Sequence, residues 1–174
     1  MSIQHALLTS LLEKPSTGYQ LARRFDRSIG HFWQATHQQI YRELRRMATS
    51  GWVEVEEKGE EGGRQSKMYH VLPAGQQELE RWVSVPGSSG ESNEALMVKL
   101  RAEAVLGPLG VRDELLRLIH WHETRLANYR AIEQRDFSAN PMSRGQRLQH
   151  RVLLKGISSE EDWLRWAKET LPLL

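Results

Sequence analysis

Thr36-His37-Gln38-Gln39-Ile40-Tyr41-Arg42-Glu43-Leu44-Arg45-Arg46-Met47-Ala48-Thr49-Ser50-Gly51-Trp52-Val53-Glu54-Val55-Glu56 reads as a helix, its stop and a strand in direct succession. Thr36 with Gln39 three residues later fits a capping box, in which the Thr hydroxyl accepts from the N3 amide and the Gln side chain reaches back. Ile40, Leu44, Met47 and Ala48 recur at the spacing of one buried helical face, and Gly51 is placed to stop the helix. From Trp52 to Glu56 apolar residues alternate with Glu, which is strand periodicity. A second such run, Lys67-Met68-Tyr69-His70-Val71-Leu72, follows Gly59, Gly62 and Gly63. The two runs make a hairpin with a long, flexible, Gly-rich tip.

Two helices precede this stretch. Ile3, Leu7, Leu8, Leu11 and Leu12 share one face. Pro15-Ser16-Thr17-Gly18 ends that helix and opens another, with Leu21, Ala22, Phe25 and Ile29 inward and Gly30 as its stop. After the hairpin, Pro73 suits the first turn of a fourth helix carrying Leu79, Trp82 and Val83. Then comes Ser84-Val85-Pro86-Gly87-Ser88-Ser89-Gly90, all but one of them Ser, Gly or Pro, a linker composition. It divides the chain into 1–83 and 92–174, with 84–91 between.

The second part reads as all helix. One helix covers 94–106 and closes at Gly107-Pro108. Another covers 111–135, with Leu115, Ile119, His122, Leu126 and Tyr129 in a coiled-coil-like stripe. Asn140-Pro141 breaks the chain, and a last helix runs over 144–171 with Leu148, Val152, Gly156, Trp163 and Trp166 roughly on one side. That is more apolar face than three appended helices bury alone, so a second copy of the chain is expected against 92–174. The expected fold is mainly α: an N-terminal winged helix-turn-helix domain with a two-stranded wing, and a C-terminal all-helical dimerisation domain.

Composition narrows the function. With 174 residues and no cysteine, disulfide scaffolds, thiolate zinc sites and cysteine nucleophiles are excluded. No apolar run approaches a membrane span, and MSIQHALLTSLLEK lacks the basic start and cleavage site of a signal peptide. A cytoplasmic protein is the expectation. His120 and His122 point about 200° apart on a helix, so they do not chelate one metal. No G-x-S-x-G, P-loop or G-x-G-x-x-G occurs, and the carboxylates form no catalytic pair. Neither an enzyme nor a cofactor is expected. Net charge is only +2, but residues 20–48 hold six arginines against Asp26 and Glu43, and residues 53–61 hold five Glu against Lys58. The basic segment could meet a polyanion.

In a winged helix the third helix lies in the DNA major groove. Gln38 and Arg42 are expected at base edges, where Gln pairs bidentately with adenine and Arg with guanine, with Gln39 beside them. Tyr41, Arg45, Arg64 and Lys67 are expected on phosphates. The rival reading is a winged-helix adaptor that binds protein and no DNA.

Several motifs carry a family resemblance: Gly18-Tyr19-Gln20-Leu21, Phe32-Trp33, Gln39-Ile40-Tyr41, Leu44 with Met47, Gly51-Trp52-Val53, Glu61-Gly62-Gly63-Arg64 before Tyr69, and Leu72-Pro73-Ala74-Gly75. In order and spacing the chain resembles the PadR family of bacterial transcriptional regulators. Its second half is similar to the helical dimerisation domain of virulence-activator-like members. Many members begin the third helix with a Gly-Thr-Leu-Tyr-Pro-like run; here Gln38-Gln39-Ile40-Tyr41-Arg42 keeps the Tyr and replaces Gly and Pro. The resemblance implies a homodimeric DNA-binding regulator, more often a repressor, with Tyr19 among the DNA-contacting residues. It also implies a small aromatic effector, for which Trp33, Trp121 and Trp163 are the candidate contacts. The other reading of these indoles is that they anchor helix packing.

Overall fold

The computed structural model describes residues 3–27, 35–61, 64–87, 93–138 and 141–174. Helix α1 (Ile3–Glu13) is buried along most of its length, and Leu7, Leu8 and Leu11 lie in the core. Arg24 donates to the carbonyls of Ser10 (2.6 Å) and Lys14 (2.8 Å), satisfying the open C-terminal end of α1. Next comes β1 (Ser16–Thr17), then α2 (Gly18–Arg27). A second capping box starts α2: Gln20 N donates to Thr17 Oγ1 and Thr17 N to Gln20 Oε1, each at 3.2 Å. Ile29, Gly30, Phe32 and Trp33 lie outside the described residues.

Helix α3 (His37–Thr49) carries the expected box between Thr36 and Gln39. Its end is a Schellman motif: Trp52 N donates to Met47 O at 2.9 Å and Gly51 N to Ala48 O at 3.1 Å. Gly51 takes φ 70°, the left-handed conformation that favours glycine at this position. Ile40, Leu44 and Met47 face the core as the spacing required. Ala48 is only half-buried.

Strands β2 (Val53–Glu61) and β3 (Arg64–Val71) pair antiparallel, and β1 adds to the far side of β3, giving the order β1-β3-β2. The sheet therefore has three strands where the hairpin reading had two. Ser16 and Thr17 pair with Tyr69 and Met68, and a two-residue strand has no period to reveal it. The expected long tip is also corrected. The strands run to Glu61 and Arg64, and the register shifts between Lys58 and Glu60, so Gly59 sits at a bulge. Gly62 and Gly63 are outside the described residues. Helix α4 (Pro73–Ser84) begins with Pro in its first turn. A Cβ on Gly75 would stand 2.3 Å from the Trp52 carbonyl oxygen, so glycine permits α4 to approach the junction between α3 and β2.

Helix α5 (Asn93–Leu106) packs against α1 and α4. Arg101 Nε donates to Glu13 at 2.8 Å, and Glu103 accepts from the Leu109 and Val111 amides at 3.0 Å. The chain accordingly folds as two compact units, Met1–Val111 and Arg112–Leu174. The change in packing thus lies after α5, whereas the Ser/Gly/Pro composition break lies before it.

The second unit is built from α6 (Val111–Asp136), α7 (Arg144–Thr170) and a final 3-10 turn, Leu171–Leu173. A third capping box, Ser143 with Gln146, starts α7. His150–Glu133, Arg130–Glu161 and Lys168–Glu123, each at 2.7 Å, tie the two helices together. A Cβ on Gly156 would come within 3.2 Å of the Tyr129 ring, so the helices approach closely there. On α7 the buried apolar residues are Ile157, Leu164 and Ala167. Leu148 and Val152, expected on one apolar side of this helix, are 54 % and 76 % exposed. No described helix is long and apolar enough to cross a membrane.

Candidate nucleic-acid interface

With Ile40, Glu43, Leu44 and Met47 turned inward, α3 presents Gln38, Arg42 and Arg45 to solvent. Tyr41 lies at one edge of that face. Its ring rests on Gly18: a Cβ there would stand 2.4 Å from Tyr41 Cε1. Glycine at the first residue of α2 therefore lets α2 and α3 meet through a phenol.

Beside this edge is a groove of about 880 Å³. Thr17, Gly18, Tyr19, Gln20 and Arg23 line it from β1 and α2, Tyr41 and Arg45 from α3, and Ser66, Lys67 and Tyr69 from β3. Three lining residues are cations and none is a carboxylate. Tyr19 is 60 % exposed, and the Arg23 guanidinium sits 5.8 Å from its ring centroid. Burial pushes the Tyr69 phenol above its ordinary value, although Arg45 opposes the shift. Ser66 Oγ is buried without a hydrogen-bond partner among the described residues. Guanidinium, ammonium and phenol donors converging on a carboxylate-free groove suit the oxygens of a phosphodiester backbone.

Strand order sets most of the acidic segment apart from the groove. Glu54, Glu56 and Glu57 lie on β2, one of the two edge strands, and β3 stands between β2 and β1. Of the groove's cations Lys67 is paired with Glu57 across the ladder, whereas Arg23 and Arg45 come from the helices.

The six arginines of 20–48 have different fates. Arg23 and Arg45 line the groove. Arg24 is bound to the end of α1, and Arg42 and Arg46 reach Glu43. Arg27 is described as helix backbone only.

Of the residues expected to meet DNA, Tyr19, Tyr41, Arg45 and Lys67 come together in the groove. Gln38 and Arg42 stand outside it on the exposed face of α3. Gln39 is committed to the helix cap: its Oε1 accepts from Thr36 N at 2.8 Å. Arg64 is described as strand backbone only. Sequence reasoning missed Gln20, Arg23 and Tyr69. Arg23 is four residues from Tyr19 on a helix, so their shared face was a usable signal. Tyr69 had no such signal, because its place depends on the β1–β3 pairing.

Among the proposed effector contacts, Trp33 lies outside the described residues. Trp163 stacks on His122 with 3.6 Å between centroids, and Trp121 meets the same imidazole edge-on at 4.7 Å. His122 also pairs with Glu160. No group of three or more His, Asp or Glu suited to a metal occurs among the described residues.

Residues 7–81 match the model of the transcriptional regulator PadR-like family, and residues 93–174 match that of the virulence activator alpha C-terminal domain. A probable transcriptional regulator of Mycobacterium tuberculosis is 38 % identical, with 100 % of this chain and 98 % of that protein aligned. The chain belongs to the PadR-like family of transcriptional regulators. It is a regulator of that family and no enzyme. A further relative is the negative transcriptional regulator PadR of Bacillus subtilis, 24 % identical over 99 % of this chain and 97 % of that protein. The structure of Bacillus subtilis PadR in complex with operator DNA is similar at 25 % identity and a TM-score of 0.47, covering 99 % of this chain and 97 % of that one.

Proposed function

We propose that this PadR-family regulator binds double-stranded operator DNA, with the phosphate backbone in the α2–α3–β3 groove and the exposed face of α3 in the major groove. The observation that carries this reading is the groove itself, with Arg23, Arg45 and Lys67 along it and no carboxylate among its lining residues. Gln38 and Arg42 read base edges. Tyr19, Tyr41, Arg45, Lys67 and Arg64 contact phosphates, and Arg23 joins them.

The regulator acts as a homodimer through its helical part, which the exposed Leu148 and Val152 support. Twofold symmetry then sets two α3 helices roughly 34 Å apart, one DNA turn, or a multiple of it. Operator occlusion makes it a repressor, in keeping with the name of the Bacillus subtilis relative. The domain organisation that fits is 1–83, a linker at 84–91, and 92–174, since the family models end at 81 and resume at 93. A small aromatic effector is met by Trp121 and Trp163, both half-exposed around His122.

The test is DNA binding to duplexes selected by the wild-type protein from a random pool. Gln38→Ala should lose about 1–3 kcal/mol and relax preference at one position. Lys67→Ala should weaken all sequences alike and reduce the salt slope by about one unit. If folded Arg45→Ala and Lys67→Ala bind unchanged at every salt concentration, the adaptor reading replaces this one.

A further inference from the structure

One carboxylate on α3 has a role that neither the groove nor the core explains. Glu43 is buried, with 6 % of its side chain exposed, yet it contacts two arginines whose side chains are 60 % and 62 % exposed. Its Oε1 accepts from Arg42 Nε at 3.3 Å and from Arg46 Nη1 at 2.9 Å. Its Oε2 accepts from Gln4 Nε2 at 3.1 Å, across from α1. The carboxylate is therefore held from both sides by groups of the fold, and Arg42 is attached to it by the inner edge of its guanidinium.

The chemistry of that attachment is specific. A guanidinium has five N–H donors in a planar fork, and binding through Nε leaves the terminal Nη1–Nη2 pair unspent. That pair is the one that grips guanine O6 and N7 bidentately in the major groove. A charge-assisted hydrogen bond at Nε also limits how the plane can turn. An arginine anchored at its buried end and exposed at its tip reaches a base with less rotamer freedom left to lose.

We propose that Glu43 is a positioning residue for sequence discrimination, acting through Arg42: it fixes the guanidinium plane so that the terminal donor pair faces a guanine edge. Without it, Arg42 is a mobile cation that serves any phosphate. The proposal rests on the DNA-binding reading above and deepens it.

The experiment compares wild type, Glu43→Gln, Arg42→Ala and the double variant on two duplexes. One is selected by the wild-type protein from a random pool, and the other is a length-matched scramble. Glu43→Gln keeps the side-chain shape and an acceptor for Gln4. It should lower the ratio of selected to scrambled affinity by about fivefold, the low end of what one bidentate base contact confers. The scramble should bind no more weakly than before, whereas general damage to the fold would weaken both duplexes together. In the Arg42→Ala background, Glu43→Gln should change the ratio no further. A DNA-free arm follows the Arg42 Nε–H signal by NMR, which should be slowly exchanging in wild type and fast in Glu43→Gln. If wild type discriminates between the duplexes and Glu43→Gln keeps the full ratio, the proposal is overturned while the DNA reading stands. The same holds if the loss persists without Arg42, or if the Nε–H signal is identical in the two proteins. If wild type binds neither duplex, the DNA reading falls and takes this proposal with it.

Discussion

In the Met1–Val111 unit, leucines 7, 8, 21, 44 and 79 and Ile40 are wholly removed from solvent by residues of one chain. In Arg112–Leu174, by contrast, α7 buries Ile157, Leu164 and Ala167 but leaves Leu148 and Val152 in solvent, and α6 leaves Leu116 half-covered. Short elements crossing at several angles enclose a core, and the sheet covers it on a further side. Two long helices side by side expose the faces they do not share. The first unit encloses its core within one chain, and the second carries the apolar face proposed above as the dimer surface.

The largest break in this contrast is expected from Val152→Asp combined with Leu148→Asp. A charge pair placed on the proposed interface should halve the mass in sedimentation velocity while helix content by circular dichroism stays the same. A dimer that survives both changes would place the interface elsewhere.

In the other unit, Leu44→Ala removes a fully buried side chain and should cost about 2–5 kcal/mol in urea unfolding. The oligomeric state of the molecules that remain folded should not change, which separates the two regions directly.

Acid should act on the first unit in two steps of the same sign. Burial holds the His5 imidazole below its ordinary 6.5, outweighing the hydrogen bond to Glu78. The unfolded chain then takes up a proton that the folded one refuses, so stability declines as pH falls below 6.5. The Arg81 hydrogen bond holds Glu78 at about 2 against an ordinary 4.5, so its contribution is present above 4.5 and lost toward about 2. His5→Phe keeps an aromatic ring against Trp82 and should remove the upper step of the stability–pH curve, and shrink the lower one because His5 also hydrogen-bonds Glu78. Glu78→Gln should flatten the lower one.

The smallest effect is at a helix start. Thr36→Ala removes the cap of α3 and should cost about 1 kcal/mol. Urea titration detects this, with no change in sedimentation.

Local signals carried the reading where both partners lie within a few residues of one another. The Thr36–Gln39 cap, the Gly51 stop and the inward face of α3 are such cases, because helix ends are satisfied by their immediate neighbours. The pairing of Ser16 and Thr17 with Tyr69 and Met68 joins parts of the chain more than fifty residues apart. It brings Tyr19 and Arg23 beside Lys67, and no periodicity announces it. The groove was therefore legible in Tyr41, Arg45 and Lys67, and through the family resemblance in Tyr19, but not in Gln20, Arg23 or Tyr69. Gln39 was read both as a cap and as a DNA contact, and one amide oxygen serves the cap. The Glu43–Arg46 spacing was visible as an i,i+3 pair, yet that the carboxylate is buried and also holds Arg42 and Gln4 required the packing of α1. On α7 the stripe was read as more apolar face than one chain covers, and Leu148 and Val152 are indeed exposed, but a stripe alone does not show which of its residues stay in solvent.

The central claim is that the α2–α3–β3 groove holds a DNA backbone. It is tested most directly by the salt dependence of duplex binding for wild type and for Arg23→Ala/Arg45→Ala/Lys67→Ala. Each lost phosphate contact removes about 0.9 from the slope of log K against log salt. With circular dichroism unchanged, the triple variant should therefore be shallower by nearly three units. Parallel lines for the two proteins, at equal affinity, would contradict the account.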